Sequence, residues 1–400
     1  MHRLLIAVLL SLLALPAVAQ TEVVVWHAYR GGEKAAIEKV AAAYNKAHPG
    51  TRVTTLAVPF DAFADKISAA VPRGKGPDVF IYAQDRLGGW IEAGNTVEPI
   101  DFFLDEPTRA RFLPTTMEAM TYRGIVYGLP VDYKVITLIY NKKLISSPPK
   151  TSAELEAMAK KLTDKAAGRF GLAYAYNDFY FNAALMNAFG GRVFEKDSAR
   201  PVLNSSGNEK ALEQILRWQS LGILPAEPSK ALINALFNEG KAAMIFSGPW
   251  FLGEISPSIE WGLAPLPTIA AAGNKPMQPW MTVEGAFVSA PSKHKDAAYD
   301  FVKFLTDTPS AKVMALEGRQ TPGNKAVYDD PEVAADPVLK AFRTQVEVAV
   351  PMPNLPEMTM VWSPVTTMTA SVIHGGAKPR PALEAAQQQV LKQIADLKHK

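Results

Sequence analysis

Short apolar runs alternate with amphipathic segments in the first third of the chain. The runs at 23–26, 53–58 and 79–82 have the length and composition of buried strands. The segments 37–44 and 63–71 between them carry apolar residues at helical spacing. Strands that alternate with helices predict βαβ units and a largely parallel sheet.

The same alternation begins again later in the chain. Apolar, strand-like runs occupy 135–140, 170–176 and 242–246, and helical periodicity separates them and continues to the C-terminus. No internal repeat or low-complexity linker divides the two halves. The pattern therefore predicts two α/β lobes joined by extended strands.

Two helix starts are marked by their capping residues. Thr151 is followed three residues later by Glu154, which is the spacing of a capping box. Thr308 precedes Pro309, and proline is favoured at the first position of a helix. We therefore predict helices that begin after Thr151 and after Thr308.

The first 19 residues differ from the rest of the chain. Arg3 precedes an apolar run over 4–15, and Ala17-Val18-Ala19 supplies a cleavage site with small residues. This pattern predicts a secretory signal peptide over 1–19. The alternative, a membrane anchor, is disfavoured because the run is shorter than the roughly 20 apolar residues of a spanning helix. The chain has no cysteine, so we expect a periplasmic protein without a lipid anchor.

Composition and charge narrow the classes of function. The net charge of the 400-residue chain is only +3, which gives no indication of a nucleic-acid or membrane-surface partner. The absence of cysteine excludes thiolate chemistry. Phosphate-binding, dinucleotide-binding, zinc-protease and serine-hydrolase motifs are absent, and the six histidines are scattered. We therefore expect no cofactor, no metal and no catalytic residue.

Aromatic and polar side chains occur together just after predicted strands. These stretches are 79–86, 177–180, 247–250 and 353–362. In open α/β sheets ligands bind beyond the carboxyl ends of strands. A pyranose has an apolar face that stacks on an aromatic ring, and its hydroxyls bind carboxylate and guanidinium groups. The alternative is that these aromatic residues are ordinary core and that the charged ones form solvated turns.

The chain resembles the maltose- and maltodextrin-binding proteins of bacterial ABC importers along nearly its whole mature length. The most specific matching motifs are GPDV at 76–79, DRLGGW at 85–90, LIYNK at 138–142, PPKT at 148–151, GPW at 248–250 and MPNLPEM at 352–358. The resemblance implies a two-lobed periplasmic-binding-protein type II fold. Each lobe is expected to be a mainly parallel sheet flanked by helices, with the ligand cleft between them.

The resemblance also implies the limits of the two lobes. Lobe I is expected to contain residues 20–132 and 268–320, and lobe II residues 133–267 and 321–400. The chain is expected to cross the hinge near 131–135, 265–268 and 319–323. These limits are a prediction from the resemblance, because composition gives no boundary.

Family roles carried over at matching positions predict the ligand-binding residues. Asp85 and Arg86 are expected to bind sugar hydroxyls, and Tyr82 stands where the family usually has a stacking tryptophan. The other matching positions are Asp65, Asp178, Tyr180, Trp250 and Trp362.

Several positions depart from the family pattern. Tyr29-Arg30 replaces an Asp-Lys pair, and Lys134 replaces an acidic hinge residue. Ser363 and Thr366 stand where the family has tyrosine and arginine. We include Arg30 and Lys134 among the predicted ligand residues. The departures predict a changed preference among maltose, maltodextrins and related α-glucosides.

The resemblance implies a monomeric carrier that binds a small oligosaccharide and delivers it to the permease subunits of an ABC importer. Two alternatives remain open. A secreted glycoside hydrolase would need two carboxyl groups fixed around one bond, and Asp85 and Asp178 are the candidates. A solute-binding protein for a non-sugar ligand would favour charges over aromatic rings.

Overall fold

The computed structural model describes residues 20–196 and 198–398; the predicted signal peptide over 1–19 lies outside them. The strands are β1 (Thr21–His27), β2 (Thr51–Ala57), β3 (Val79–Ala83), β4 (Thr121–Tyr122), β5 (Ile125–Val126), β6 (Gly128–Lys134), β7 (Thr137–Asn141), β8 (Phe170–Ala173), β9 (Ala242–Ser247), β10 (Trp261–Ala264), β11 (Thr268–Ile269), β12 (Lys275–Pro276), β13 (Trp280–Val288) and β14 (Val350–Pro351). The helices are α1 (Gly31–Ala47), α2 (Phe60–Ala70), α3 (Leu87–Ala93), α4 (Glu106–Arg109), α5 (Pro114–Ala119), α6 (Ser152–Leu162), α7 (Phe179–Ala188), α8 (Ser206–Ser220), α9 (Lys230–Asn238), α10 (Pro249–Leu252), α11 (Lys295–Leu305), α12 (Thr308–Leu316), α13 (Pro331–Ala335), α14 (Pro337–Val346), α15 (Trp362–Ile373) and α16 (Pro379–Lys398).

The first sheet has the strand order β14-β13-β3-β1-β2, and β6 also pairs with β13. Strands β1, β2 and β3 run parallel, as the alternation of apolar runs and helices predicts. Strand β13 returns from a distant part of the sequence and pairs antiparallel with β3 and β6. All residues of β3, β6 and β13 are buried; β3 is a continuous apolar run, whereas β6 and β13 also bury the charged residues Asp132, Lys134 and Glu284.

The second sheet has the order β10-β7-β9-β8. Only β8 and β9 are parallel; β7 pairs antiparallel with both β9 and β10. The expectation of a mainly parallel sheet in each lobe is therefore wrong for this one. Two residues separate β7 from β6, which belongs to the first sheet, so the chain passes directly from one sheet to the other here.

Two of the predicted hinge segments lie side by side between the sheets. Tyr133 N donates to Thr321 O at 2.9 Å, and Gly323 N donates to Val131 O at 3.1 Å. The hydroxyl of Thr321 also donates to the carbonyl of Tyr133. These bonds support paired connections near 131–135 and 319–323. The exact lobe limits stay a prediction, and strand β14, expected in lobe II, pairs with the first sheet.

The apolar core is continuous between the two sheets. One cluster of buried residues contains Phe80 and Tyr82 of the first sheet together with Ile139 and Ile245 of the second. Separate clusters lie behind each sheet. The two halves therefore contact each other in this structure. No helix among the described residues is both long enough and apolar enough to cross a membrane.

The helix starts agree with one capping prediction and correct the other. Thr151 caps α6 through its hydroxyl, which accepts from Glu154 N at 3.2 Å. The cap of α12 is Asp307, whose Oδ1 accepts from Ser310 N at 2.8 Å. Thr308 is therefore the first helical residue and not the cap, because the aspartate one position earlier reaches the free N–H.

Candidate ligand-binding site

Most of the predicted ligand residues meet where the two sheets face each other. Asp85 lies in the turn that follows β3, and the indole of Trp362, at the start of α15, lies beside it. Tyr180, in the first turn of α7, donates through its hydroxyl to Lys134 O at 3.2 Å. The first and second sheets thus supply opposite walls of one cleft, as the rule for carboxyl ends of strands anticipates.

Asp85 and Arg86 form the polar centre of this cleft. Asp85 is 5% exposed, and its Oδ2 lies 3.4 Å from Nε of Arg86. Burial raises the pKa of the Asp85 carboxyl to about 6, although the Arg86 charge and the Trp362 indole oppose the rise. Within the described part of the chain, Arg86 Nε and Trp362 Nε1 are buried without an acceptor in hydrogen-bonding geometry. A buried carboxylate beside two unused donors is well suited to bind hydroxyl groups.

We expect ligand affinity to fall as the pH is lowered through about 6, because protonation of Asp85 removes an acceptor for ligand hydroxyls. The same titration affects folding stability in the opposite direction. The raised pKa means that the contribution of Asp85 to stability is complete below its ordinary value of 3.8 and is lost as the pH rises through about 6. If ligand binding lowers this pKa by one unit, affinity changes by about tenfold. Calorimetric titration across this pH range measures the effect.

Asp85→Asn is the control for this pH dependence. The variant cannot ionise at position 85, so its affinity should be weaker at neutral pH and nearly constant through the same range. An unchanged pH profile in Asp85→Asn would assign the titration to another group, and the prediction would then be wrong.

Tyr82 lies inside a stack of aromatic rings. The Phe63 ring is 5.1 Å from it at an interplanar angle of 6°, and the Phe60 ring is 5.2 Å from it at 24°. Tyr82 is only 6% exposed. Phe60 and Phe63 stack on its ring, and a ligand contact by Tyr82 stays a prediction.

Trp250 and Tyr180 form the aromatic wall on the side of the second sheet. Their ring centroids are 6.0 Å apart at 60°, and Trp250 also contacts the edge of Phe181 at 6.3 Å. Gly248 precedes the indole, and a Cβ at this glycine would overlap the Trp250 ring. Glycine at 248 therefore leaves the space that the indole occupies.

Trp280 is an aromatic residue of this wall that sequence reasoning missed. It begins β13 and is 2% exposed. Its ring contacts Phe179 at 4.8 Å and Trp362 at 5.9 Å, in both cases edge to face. A tryptophan at the start of a long apolar run was the available signal. Trp280 fixes the position of Trp362 rather than facing the cleft itself.

Asp178 has partners for both carboxylate oxygens. Its Oδ1 caps α7 by accepting from Tyr180 N at 2.9 Å, and its Oδ2 lies 2.8 Å from Nζ of Lys230. A carboxylate has further lone pairs, and a ligand contact by Asp178 stays a prediction. The contacts present here position the first turn of α7, which carries Tyr180.

Lys134 lies in a buried group of charges that we call the Lys134 cluster (Tyr29, Glu33, Asp132, Lys134 and Glu284). The ammonium group is 3.0 Å from Glu33 Oε1 and 3.1 Å from Glu284 Oε2. The Tyr29 hydroxyl donates to Asp132 Oδ2 at 3.2 Å. Every member of the cluster is at most 7% exposed. Three carboxyl groups and one ammonium group thus share one buried site.

The charges in this cluster change one another's pKa values. Burial alone would lower the pKa of Lys134, but Glu284, Glu33 and Asp132 together raise it above its usual range. Burial raises the pKa of Asp132 well above its ordinary value, with Lys134 opposing and the other carboxylates adding to the rise. Burial likewise raises the pKa of Glu284. The geometry favours a role for Lys134 in holding these carboxylates together; direct contact with a ligand stays a prediction.

Arg30 joins the two walls at the entrance of the cleft. Its Nε lies 2.5 Å from Glu254 Oε1, which follows α10 on the other side. The backbones also approach closely here: a Cβ at Gly31 would lie 3.7 Å from Gly253 O, and Gly31 has a φ of 51°. The structure therefore has a closed entrance, and the Arg30 guanidinium contributes to a contact across it.

Asp65 is a predicted ligand residue that the structure does not bring into contact with the other predicted ligand residues. It lies on the exposed side of α2, and no ion pair within the described ranges includes it. Sequence reasoning also missed Glu33, Glu284 and Gln84. Gln84 accepts from Val283 N at 2.7 Å and donates to Met352 O at 3.2 Å, so it joins β3, β13 and the 352–358 segment. Polar residues inside otherwise apolar segments were the signal for Glu284 and Gln84.

Two α/β sheets that face each other, with aromatic rings and the Asp85–Arg86 pair where they meet, have the architecture of a two-lobed binding protein. No group of three or more His, Asp or Glu side chains in the described residues is arranged to hold a metal ion. Residues 30–312 match the family of bacterial extracellular solute-binding proteins, and the chain belongs to this family.

Relatives and solved structures agree with this assignment. The chain is 33% identical to a maltotriose-binding protein of Pyrococcus abyssi over 86% of this chain and 76% of that one. It is 29% identical to a galactooligosaccharide-binding protein of Bacillus subtilis over 94% and 90% of the two chains. A Thermus thermophilus maltotriose-binding protein solved with maltotriose superposes with a TM-score of 0.87 at 30% identity, covering 93% of this chain and all of that one.

Proposed function

We propose that this protein is the sugar-binding component of an ABC importer and that its ligand is a short malto-oligosaccharide such as maltotriose. The observation that carries the proposal is the buried Asp85 carboxyl, which has the Arg86 guanidinium and the Trp362 indole beside it, together with the Trp250 and Tyr180 rings that pack against each other. Aromatic faces suit the apolar side of a pyranose, and the charged pair suits its hydroxyls. Two relatives whose names specify maltotriose support this ligand class.

A galactooligosaccharide is the second candidate ligand. The relative from Bacillus subtilis named for that ligand covers more of this chain than the maltotriose-binding relative does. The departures at Arg30 and Lys134 also alter the cleft relative to the family pattern. Both sugar types have the same pattern of apolar faces and hydroxyl rims, so direct comparison has to separate them.

In the proposed mechanism both walls bind the same ligand. Closure is then favoured because the ligand has a higher affinity for the closed form, in which Arg30 and Glu254 are in contact. The closed carrier docks on the permease subunits of the importer. We further propose that it acts as a monomer in the periplasm without a lipid anchor, which the absence of cysteine supports. A lipid-anchored relative in Streptococcus pneumoniae has the alternative arrangement.

Sugar hydrolysis receives less support from the geometry. The second candidate carboxylate, Asp178, caps α7 and is paired with Lys230 at 2.8 Å. A glycosidase needs two carboxyl groups fixed on either side of one bond. Asp85 and Asp178 belong to opposite walls, so hinge motion would change their separation.

We expect calorimetry to detect binding of maltotriose, and small-angle scattering to show a smaller radius of gyration with the sugar bound, because hinge closure makes the protein more compact. The titrations should include maltose, maltotetraose, trehalose and a galactooligosaccharide on the mature chain. Product analysis after long incubation is the control for hydrolysis. Sugar turnover, or the absence of binding to every sugar, would contradict the proposal. Binding without compaction would contradict the closure mechanism alone.

A further inference from the structure

Three aromatic rings form a stack that runs from the core of the first lobe to its surface. Phe63 is fully buried, Tyr82 is 6% exposed and Phe60 is 45% exposed. Tyr82 is nearly parallel to both phenylalanine rings, at 5.1 Å from Phe63 and 5.2 Å from Phe60. A sugar needs an uncovered ring face for stacking. Tyr82 has too little exposed surface to provide one, whereas Phe60 does.

The stack is continuous with the polar centre of the cleft. The charges of Asp85, Arg86 and Glu284 all affect the pKa of the Tyr82 hydroxyl, which burial raises above its usual range. Asp61, next to Phe60, acts on the same hydroxyl. The exposed ring therefore lies at the edge of the proposed site and has a carboxylate beside it.

The backbone around Phe60 adds hydrogen-bond donors. Phe60 is the first residue of α2, whose cap, Pro59, provides no side-chain acceptor. The first N–H groups of a helix have no partner within the helix, and because Ala62 N donates to Pro59 O at 3.1 Å, the donors that remain here are those of Phe60 and Asp61. A ring with nearby N–H donors and the Asp61 carboxylate can contact both the apolar face and the hydroxyls of one sugar unit.

We propose that Phe60, rather than Tyr82, is the stacking surface of the first lobe, and that it binds an additional sugar unit of a longer oligosaccharide at the edge of the cleft. Tyr82 supports the Phe60 ring from behind, and Phe63 supports Tyr82. The inference rests on the proposed function, since it names a further subsite of the same cleft. It explains why a large apolar side chain is left nearly half exposed beside a polar site.

Phe60→Ala tests this proposal, with Phe102→Ala as the matched control. Phe102 is 95% exposed and lies in the 99–104 segment of the same lobe. Calorimetry on the mature protein should use maltose, maltotriose and maltotetraose. We expect Phe60→Ala to lower the affinity for whichever of maltotriose and maltotetraose binds more tightly by about fivefold or more, which is the lower end of the effect of aromatic stacking. The affinity for maltose should fall by less. Phe102→Ala should bind like the wild type, and Phe60→Trp should restore affinity.

The outcomes separate this inference from the proposed function. If the wild type binds the sugars and Phe60→Ala binds them with the same affinities, the Phe60 subsite is wrong and the carrier function is unaffected. Equal loss for all three sugars also overturns the additional-unit subsite. Unchanged affinities with reduced uptake by cells would assign Phe60 to importer docking and overturn stacking. Failure of the wild type to bind any of the sugars overturns both proposals.

Discussion

Replacement of Lys134 by alanine is expected to lower the free energy of unfolding by about 3–5 kcal/mol, the usual cost of removing one partner from a buried ion pair. The ammonium group is the single cation within 3.1 Å of both Glu33 and Glu284 among the described residues. Without it, these two carboxyl groups and Asp132 are buried together with no compensating charge. Urea unfolding followed by circular dichroism measures the loss.

Lys39→Ala is the matched control for this prediction. Lys39 lies 2.6 Å from Glu317, but the two side chains are 58% and 50% exposed. Exposed pairs contribute about 1 kcal/mol or less. Equal losses in the two variants would contradict the buried role of Lys134. The deficit of Lys134→Ala should also shrink as the pH is lowered, because the Asp132 and Glu284 carboxyls, whose pKa values burial raises, bind protons more tightly in the folded state.

Replacement of Trp250 by alanine is expected to weaken maltotriose binding by about 5- to 150-fold, corresponding to 1–3 kcal/mol by analogy with base–aromatic stacking. Trp250 is only partly buried and contacts Tyr180 and Phe181 by ring edges. Its removal leaves the Ala242–Ser247 strand intact, so the fold should persist. Calorimetry gives the affinity, and circular dichroism verifies the fold.

Trp261→Ala provides the comparison for Trp250. Trp261 is also partly buried, but it pairs with Asn141 at the end of β7 away from Thr137. Thr137 pairs with Ser247, just before Trp250. Trp261→Ala should therefore change stability more than affinity. Normal sugar binding by Trp250→Ala, or loss of its folded structure, would show that Trp250 belongs to the core.

The strands could be predicted from the sequence where apolar runs are bounded by turn residues. The parallel order of β1, β2 and β3 follows from the helices between them. The antiparallel pairing of β7 could not be predicted, because its partners β9 and β10 are distant in sequence and no local pattern specifies their direction. The cap of α12 was displaced by one residue for a local reason: aspartate and threonine are adjacent, and either can cap.

The positions of site residues could be predicted where they belong to short sequence motifs. They could not be predicted where they depend on packing between distant parts of the chain. The structure places Asp85, Arg86, Tyr180, Trp250 and Trp362 near the contact between the two sheets, and their role in ligand binding stays a prediction from the family resemblance. The Lys134 cluster was missed because its members are distant in sequence; Glu33 and Lys134 are separated by 101 positions. The covering of Tyr82 by Phe60 and Phe63 was missed because it requires the packing of α2 on β3, which motif comparison does not show.

The close approach of Gly253 to the other lobe gives the protein a way to set its ligand affinity through a residue outside the proposed binding groups. A Cβ at Gly253 would lie 3.3 Å from Gly32 N, closer than ordinary contact. Larger side chains at position 253 would act as a wedge and hold the entrance open. If only a tenth of the molecules can close, the apparent dissociation constant rises about tenfold, since the intrinsic value is divided by the competent fraction. Residue 253 is thus a site where evolution can adjust the ligand concentration at which the carrier loads, without altering the aromatic and charged groups of the proposed binding site.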